Sequence, residues 1–125
     1  MIKLIIRSYI EKIDIKADSS VAIPSSEGAL TILPNHEDLA LSLNPGIISI
    51  DDKIIYFIYG GIANINDNVI DIITEFARDI TNISSEELDD EILKIKKSLE
   101  TSKINLEINK YQKHFKYYTS LKEYI

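Results

Sequence analysis

The chain has 125 residues, 45% of them hydrophobic, no cysteine and a formal net charge of −6. This composition supports a packed core and excludes disulfides, thiolate chemistry and cysteine-based zinc sites. The negative charge argues against wholesale binding to nucleic acid or anionic lipid. No apolar run approaches the roughly 20 residues that span a bilayer, so we expect membrane association only through a partner, without direct insertion.

The first 83 residues predict β-structure. Apolar and polar residues alternate in residues 12–17, and isoleucine-rich runs recur between turn-forming Pro, Gly, Asn and Asp residues. The pattern is typical of an antiparallel β-sandwich or flattened barrel, with a bend or bulge at Gly60 and Gly61. The predicted strands cover residues 2–7, 11–18, 20–23, 29–33, 39–43, 47–50, 53–59, 62–65 and 69–74.

Residues 84–125 predict an antiparallel α-helical hairpin, and hence a second domain after the sandwich of residues 1–83. Ser84 and Glu87 have the spacing of a helix-capping box. Two apolar stripes at helical spacing follow, and on one straight helix they would face opposite sides. We therefore expect a break near Thr101 and Ser102, with Ser102 capping the second helix. The stripes are Leu88, Ile92, Ile95 and Leu99, then Ile104, Ile108, Tyr111, Phe115 and Tyr118.

Charge in this second part is polarised. Residues 84–93 contain five acidic residues and no basic one, whereas residues 94–125 contain eight lysines and three acidic residues. Acidic residues at a helix start are favoured by the helix dipole. The basic excess in the rest of the hairpin predicts a surface that attracts acidic partners.

Four motifs in order carry a family resemblance. They are Pro-Ser-Ser-Glu-Gly at 24–28, Ile-Leu-Pro-Asn-His at 32–36, Asn-Pro-Gly at 44–46 and Tyr-Gly-Gly-Ile at 59–62. Residues 68–77 in turn look like the family's last strand. Together these segments resemble the epsilon subunit of the F-type ATP synthase, which is equivalent to the mitochondrial delta subunit.

This resemblance implies a non-catalytic central-stalk subunit with no cofactor, metal or catalytic residue of its own. Its sandwich would pack on the gamma subunit and touch the c-ring, so that proton-driven rotation of the ring is coupled to ATP synthesis. The subunit would be peripheral, on the cytoplasmic or mitochondrial matrix face of the energy-coupling membrane.

The resemblance also assigns residues to partners. Contacts with gamma and the c-ring are expected at Glu27, Gly28, Leu33, Pro34, Asn35, His36, Pro45, Gly46, Gly60 and Gly61. Contacts of the hairpin with the alpha and beta subunits, which would inhibit ATP hydrolysis, are expected at Lys94, Lys96, Lys97, Lys103, Lys110, Lys113 and Lys116. An ordinary solvated helix face is the alternative interpretation of each single lysine.

One departure from the family concerns ATP. Some bacterial relatives bind ATP through an Ile/Leu-Asp-x-x-Arg-Ala signature at the start of the first hairpin helix. The matching residues 88–93 here are Leu-Asp-Asp-Glu-Ile-Leu, without the arginine. Because acidic residues repel phosphate, we predict that the chain does not sense ATP.

Other functions are less well supported. His36, Glu37 and Asp38 lack the spaced ligand set of a metal site. The tyrosines and lysines near the C-terminus have the composition of a single-strand-binding surface, but Tyr111, Phe115 and Tyr118 have the spacing of a buried seam. No nucleophile motif is present, so an enzyme is the least supported class. The main alternative is a stand-alone β-sandwich binding module whose hairpin docks a partner helix.

Overall fold

The computed structural model describes residues 1–101 and 105–125. Contacts divide the chain into two compact units, Met1–Thr81 and Asn82–Ile125. The first unit contains the strands and the second contains the helices. The predicted fold class, a β-sandwich followed by two helices, is confirmed. The predicted domain boundary between residues 83 and 84 stays a prediction.

The first unit contains eight strands, which follow each other along the sheet in the order β2-β1-β7-β6-β5-β3-β4, with β8 paired to β6. The described pairs are antiparallel except β1 and β7, which run parallel. Period-two alternation predicts strands but not their direction, so this parallel pair had no signal in the sequence. The strands are β1 (Ile2–Arg7), β2 (Lys12–Ala17), β3 (Val21–Ser25), β4 (Gly28–Ile32), β5 (Leu39–Ile50), β6 (Ile54–Asn66), β7 (Val69–Ile73) and β8 (Ala77–Asp79).

Strands β5 and β6 are long and take part in both layers of the sandwich. The second half of β6 pairs with β7 and its first half pairs with β8, whereas β5 lies between β6 and β3. The sequence predicted two short strands in place of each, separated at Asn44–Gly46 and at Gly60–Gly61. That prediction of a turn at Asn44–Gly46 is wrong, because the ladder continues from Leu43↔Gly61 to Pro45↔Tyr59. Strand β8 was also missed.

The core of the first unit consists mainly of isoleucine side chains from both layers. Ile6, Ile72, Ile23 and Ile48 have 0–1% of their surface exposed. Burying an aliphatic side chain of this size contributes about 1.5–3 kcal/mol. The sandwich therefore contains a continuous apolar core between its layers.

The turn between β5 and β6 is fastened to the β2–β3 connection by Asp51. Asp51 and Asp52 have φ angles of 53° and 54°, the left-handed values that a type I′ turn requires. The Asp51 carboxylate accepts N–H bonds from Asp18, Ser19 and Ser20 at 2.7–3.0 Å. These backbone donors hold the pKa of Asp51 well below its ordinary value.

The second unit is an antiparallel pair of helices, α1 (Ser85–Thr101) and α2 (Asn105–Lys122). Lys122 Nζ lies 2.8 Å from Asp89 Oδ1, and Lys96 Nζ lies 5.6 Å from the Phe115 ring centroid. These two pairs connect the start of α1 to the end of α2 and the middle of one helix to the middle of the other. The predicted hairpin is therefore confirmed, while the predicted cap at Ser102 lies outside the described residues.

The N-terminus of α1 is capped as predicted, because the Glu87 N–H donates to Ser84 Oγ at 3.1 Å. The apolar stripes only partly match the burial. Among the described residues of the second unit, Leu88, Tyr117 and Leu121 are buried, whereas Ile95, Tyr111 and Phe115 and the remaining described stripe residues are half-buried. Tyr117 and Leu121 lie beside the predicted stripe of α2, so the apolar side of this helix is wider than predicted.

No helix within residues 1–101 or 105–125 is long and apolar enough to cross a membrane.

Candidate partner-binding surfaces

The bend of β6 is built around Gly60 and Gly61, where both φ angles are positive (75° and 134°). A Cβ atom on Gly61 would lie 2.1 Å from the carbonyl oxygen of Ile73. The buried Thr74 hydroxyl donates to the Gly60 carbonyl oxygen at 2.6 Å, which fastens the end of β7 to the bend. The prediction that no side chain fits at this bend is therefore confirmed.

Pro45 and Gly46 lie opposite this bend on β5. Pro45 is exposed, but Gly46 and Gly60 are buried. The structure therefore brings four predicted contact residues together: Pro45, Gly46, Gly60 and Gly61. The buried glycines shape the bend, and Pro45 is the side chain that a partner can reach.

A second group of predicted contact residues forms the turn after β4, residues 33–36. The Leu33 side chain is 57% exposed. Asn35 has a left-handed φ of 65°, and the ring Nδ1 of His36 lies 2.7 Å from the Glu37 carbonyl oxygen. The turn thus presents one exposed apolar side chain at its start and polar groups after it.

Ser26 and Glu27 form the tip of the β3–β4 hairpin, and Gly28 follows as the first residue of β4. The Glu27 N–H donates to Ser25 Oγ at 3.2 Å, and the neighbouring Ser26 N–H donates to the Ser42 carbonyl oxygen at 3.0 Å. Both tip residues are exposed, and nothing lies within 4 Å of the position of a Cβ on Gly28. The strand register places this tip beside the first half of β5, away from the turn of residues 33–36.

An exposed apolar pair on the outer face of the sheet was not predicted from the sequence. Ile62 and Ile73 are cross-strand partners, and their side chains are 59% and 61% exposed. The ion pair between Arg7 and Asp71, 3.0 Å long, lies beside them on the same face. A signal was present, because Ile72 and Ile73 are adjacent in a strand and one of the two must point outward.

The described hairpin lysines are exposed and lie on both helices. Lys94 and Lys97 are one helical turn apart on α1, and Lys110, Lys113 and Lys116 follow each other at intervals of three along α2. Lys96 differs, since its ammonium group lies over the Phe115 ring. Lys103 lies outside the described residues.

The start of α1 is acidic, and one of its carboxylates forms an ion pair with α2. Asp89, in the segment that matches the family's ATP signature, forms an ion pair with Lys122. Glu86 and Glu87 occupy the first turn. The carboxylates crowded at this helix start repel phosphate, although the helix dipole by itself would attract it. That the chain binds no ATP stays a prediction.

Side chains that could bind a metal ion lie apart from one another in the described part of the chain. Within residues 1–101 and 105–125, no three His, Cys, Asp or Glu side chains are placed to hold a metal ion. The two histidines lie in different units, His36 in the turn after β4 and His114 on α2. Burial, together with the nearby Lys110, lowers the pKa of His114. The fold defines the class of the protein as a β-sandwich followed by a helical hairpin.

Comparison with known proteins identifies the family. The model of the ATP synthase delta/epsilon chain β-sandwich domain matches residues 5–80. The chain belongs to this family, and the resemblance stated from the four motifs is confirmed.

Curated relatives and solved structures agree with this assignment. The ATP synthase epsilon chain of Rickettsia typhi is 30% identical over 88 residues, which cover 66% of this chain and 80% of the relative. The epsilon chain of Rickettsia felis is 31% identical over 90 residues, covering 67% and 80%.

Two cryo-EM structures match over almost the whole chain. One is the Euglena gracilis mitochondrial ATP synthase (OSCP, F1 and c-ring), with 26% identity, a TM-score of 0.61 and coverage of 98% of this chain and 79% of the other. The second, the central stalk and c-ring of the Tetrahymena thermophila enzyme, has a TM-score of 0.56 at 13% identity, covers 97% and 96% of the two chains, and supports the fold alone.

Proposed function

We propose that this chain is the epsilon-type central-stalk subunit of an F-type ATP synthase, which couples rotation of the c-ring, together with gamma, to ATP synthesis. It is a subunit of that enzyme and associates with its other subunits. The observation that carries the proposal is the match of both units, sandwich and hairpin, to a chain of an assembled ATP synthase over 98% of the sequence.

Within the complex, the chain itself is non-catalytic. This part of the proposal is supported by the roles of its polar side chains, which fasten turns, cap a helix and form surface ion pairs. Its contribution to the reaction is mechanical, through the surfaces that contact neighbouring subunits.

We assign gamma to the outer face of the sheet around Ile62 and Ile73. Support comes from two adjacent isoleucines that are each more than half exposed, on a face that also carries Arg7 and Asp71. The patch is continuous with Gly61, which precedes Ile62 and contacts the Ile73 carbonyl region. The exposed residues at the bend, Pro45 above all, then lie at the border of this contact.

We assign the c-ring to the turn of residues 33–36 and to the β3–β4 hairpin tip around Glu27 and Gly28. Both are exposed loops that present polar groups and few apolar side chains. Exposed polar loops of this kind suit contact with the polar loops that the c-ring presents to water. The subunit is then peripheral, on the cytoplasmic or matrix face of the membrane.

The test of the main proposal is purification of the complex from mild-detergent membranes through a tag on this chain. We expect gamma, alpha, beta and c subunits to co-elute in quantity. Recovery of one unrelated protein without ATP synthase subunits would contradict the proposal and favour the stand-alone binding module.

The hairpin is proposed to restrain ATP hydrolysis through contacts of its lysines with the alpha and beta subunits. The support is the row of exposed cations along α2 and the basic excess after residue 93. Removal of residues 84–125 should leave assembly intact and raise ATP hydrolysis by isolated membranes. A variant in which Lys110, Lys113 and Lys116 are changed to glutamine is the matched test, since it keeps the helix. Unchanged hydrolysis in both variants would show that the hairpin is not an inhibitor here.

A further inference from the structure

Two loops that are far apart in sequence are joined by a pair of asparagines. The Asn35 backbone N–H donates to Asn68 Oδ1 at 2.6 Å, and Asn68 Nδ2 donates to Asn35 Oδ1 at 3.5 Å. Asn35 belongs to the turn of residues 33–36, and Asn68 belongs to the tight turn between β6 and β7. We call this pair of bonds the Asn35–Asn68 clasp.

The backbone on the Asn68 side of the clasp is held in place by the sheet. Asp67 and Asn68 have φ angles of 50° and 61°, the left-handed pair that a two-residue hairpin requires. The Lys3 N–H donates to the Asn68 carbonyl oxygen at 2.8 Å, which ties this turn to the start of β1. Asn68 is therefore a fixed point from which a side chain reaches the neighbouring loop.

The Asn35 side of the clasp has less support of its own. Residues 33–38 belong to no helix or strand, and Asn35 itself has a left-handed φ of 65°. Asparagine tolerates this conformation better than most residues, but the segment still has to be held in one shape. The clasp does so, together with the contact of His36 with its neighbour Glu37.

We propose that the Asn35–Asn68 clasp holds the turn of residues 33–36 in its partner-binding shape, which makes Asn68 a positioning residue for the exposed Leu33. This inference rests on the proposed function, because it assumes that the turn contacts the c-ring. Holding a loop in its bound conformation before association strengthens binding by reducing the entropy lost when the complex forms.

The expected effect is modest and measurable. One hydrogen bond of this kind changes an equilibrium by roughly 3- to 10-fold. Loss of the clasp should therefore weaken incorporation into the complex by about that factor, without unfolding the sandwich.

Three variants test the proposal. Asn68→Gly keeps the left-handed backbone and removes the clasp. Asp67→Gly, the matched control, makes the same change one residue earlier in the same turn and leaves the clasp intact. Leu33→Ser removes the exposed apolar side chain of the turn.

Each tagged variant is expressed together with untagged wild-type chain, and the complex is purified through the beta subunit. The ratio of tagged to untagged chain in the complex, measured by mass spectrometry, gives the relative affinity. The melting temperature of each purified variant is measured alongside. We expect Asn68→Gly and Leu33→Ser to be depleted about 3- to 10-fold and Asp67→Gly to be incorporated like wild type. Asn68→Gly should melt only a few degrees below Asp67→Gly, as the loss of one hydrogen bond implies.

The other outcomes are distinct. If Leu33→Ser is depleted but Asn68→Gly is not, the clasp has no positioning role and the inference is wrong, while the proposed function stands. The same holds if Asn68→Gly melts well below Asp67→Gly, because its role is then structural. If Leu33→Ser is incorporated like wild type, the turn is not a contact and the inference fails with it. If tagged wild-type chain does not co-purify with beta at all, the proposed function itself is contradicted.

Discussion

The sandwich and the hairpin of this chain are stabilised in different ways. In the sandwich, isoleucine side chains from most of the strands are almost fully buried in one cluster. In the described part of the hairpin, the apolar side chains are mostly half-buried, and Leu88, Tyr117 and Leu121 are the buried ones. The hairpin relies more on helix caps, on an ion pair and on a cation over an aromatic ring.

This difference predicts how sensitive each unit is to substitution. Burial of apolar surface provides most of the stability of a domain, whereas exposed ion pairs contribute about 0–1 kcal/mol each. The sandwich should therefore be sensitive to changes in side-chain shape, and the hairpin should tolerate them. A unit with low local stability is also the one that can open or rearrange at moderate cost.

The largest effect is expected at the bend of the sandwich. Gly61→Ala places a methyl group against the Ile73 carbonyl oxygen, 2.1 Å away, at a φ of 134°. We expect a loss of at least about 3 kcal/mol in the free energy of unfolding. Gly28→Ala is the control, because its φ is also positive (123°) but no atom lies within 4 Å, and it should lose about 1–2 kcal/mol. Urea denaturation of both variants measures the difference, and equal losses would refute the clash.

A matched pair of truncations compares the two units directly. Ile72→Ala removes a fully buried side chain from the sandwich and should cost about 2–5 kcal/mol. Ile95→Ala removes a half-buried one from α1 and should cost about 1 kcal/mol. Hydrogen exchange resolved by residue reports the stability of each unit separately. Similar losses in the two units would show that the hairpin is as tightly packed as the sandwich.

A smaller effect is expected at Asp51, and it depends on pH. Asp51→Asn at pH 7 removes the carboxylate that three backbone N–H groups donate to, so the sandwich should be destabilised by less than in Ile72→Ala. Because the pKa of Asp51 is lowered by folding, its contribution is complete above the ordinary value of 3.8 and declines as the pH falls below it.

The wild-type chain and Asp51→Asn should therefore approach the same stability in acid. Asp52→Asn, at the adjacent position with the same left-handed φ, is the control and should change little. Urea denaturation between pH 7 and pH 3 measures both variants. A difference between wild type and Asp51→Asn that stayed constant over this range would contradict the charge-based explanation.

The parts of the fold that depend on local sequence patterns could be predicted. Alternation identified the strands from Ile2 to Ile32, and the spacing of Ser84 and Glu87 identified the start of α1. Asn44–Gly46 was read as a turn because Pro and Gly usually interrupt a strand. Here the interruption is a bend in a continuous β5, and whether paired strands separate or bend is decided by the partner strand. The parallel pairing of β1 with β7 likewise depends on contacts between distant segments.

The candidate surfaces were predictable in part. The motifs identified the turns at residues 24–28 and 32–36 as exposed segments, because turn residues and surface position go together. The hydrogen bonds that join the second of these turns to Asn68 could not be predicted, since residues 35 and 68 are brought together only by the sheet. Adjacent Ile72 and Ile73 indicated that one of the two points outward, but its pairing with Ile62 on that face depends on the strand register.

The two long strands have a mechanical consequence. Because β5 and β6 run from one layer of the sandwich into the other, the layers are joined by covalent backbone as well as by side-chain packing. Sliding one layer over the other would require stretching these strands or breaking ladder hydrogen bonds on both sides of the bend at Gly60. The sandwich is thus stiff against shear, so a twisting force that enters through one face leaves through the other with little lost to internal deformation.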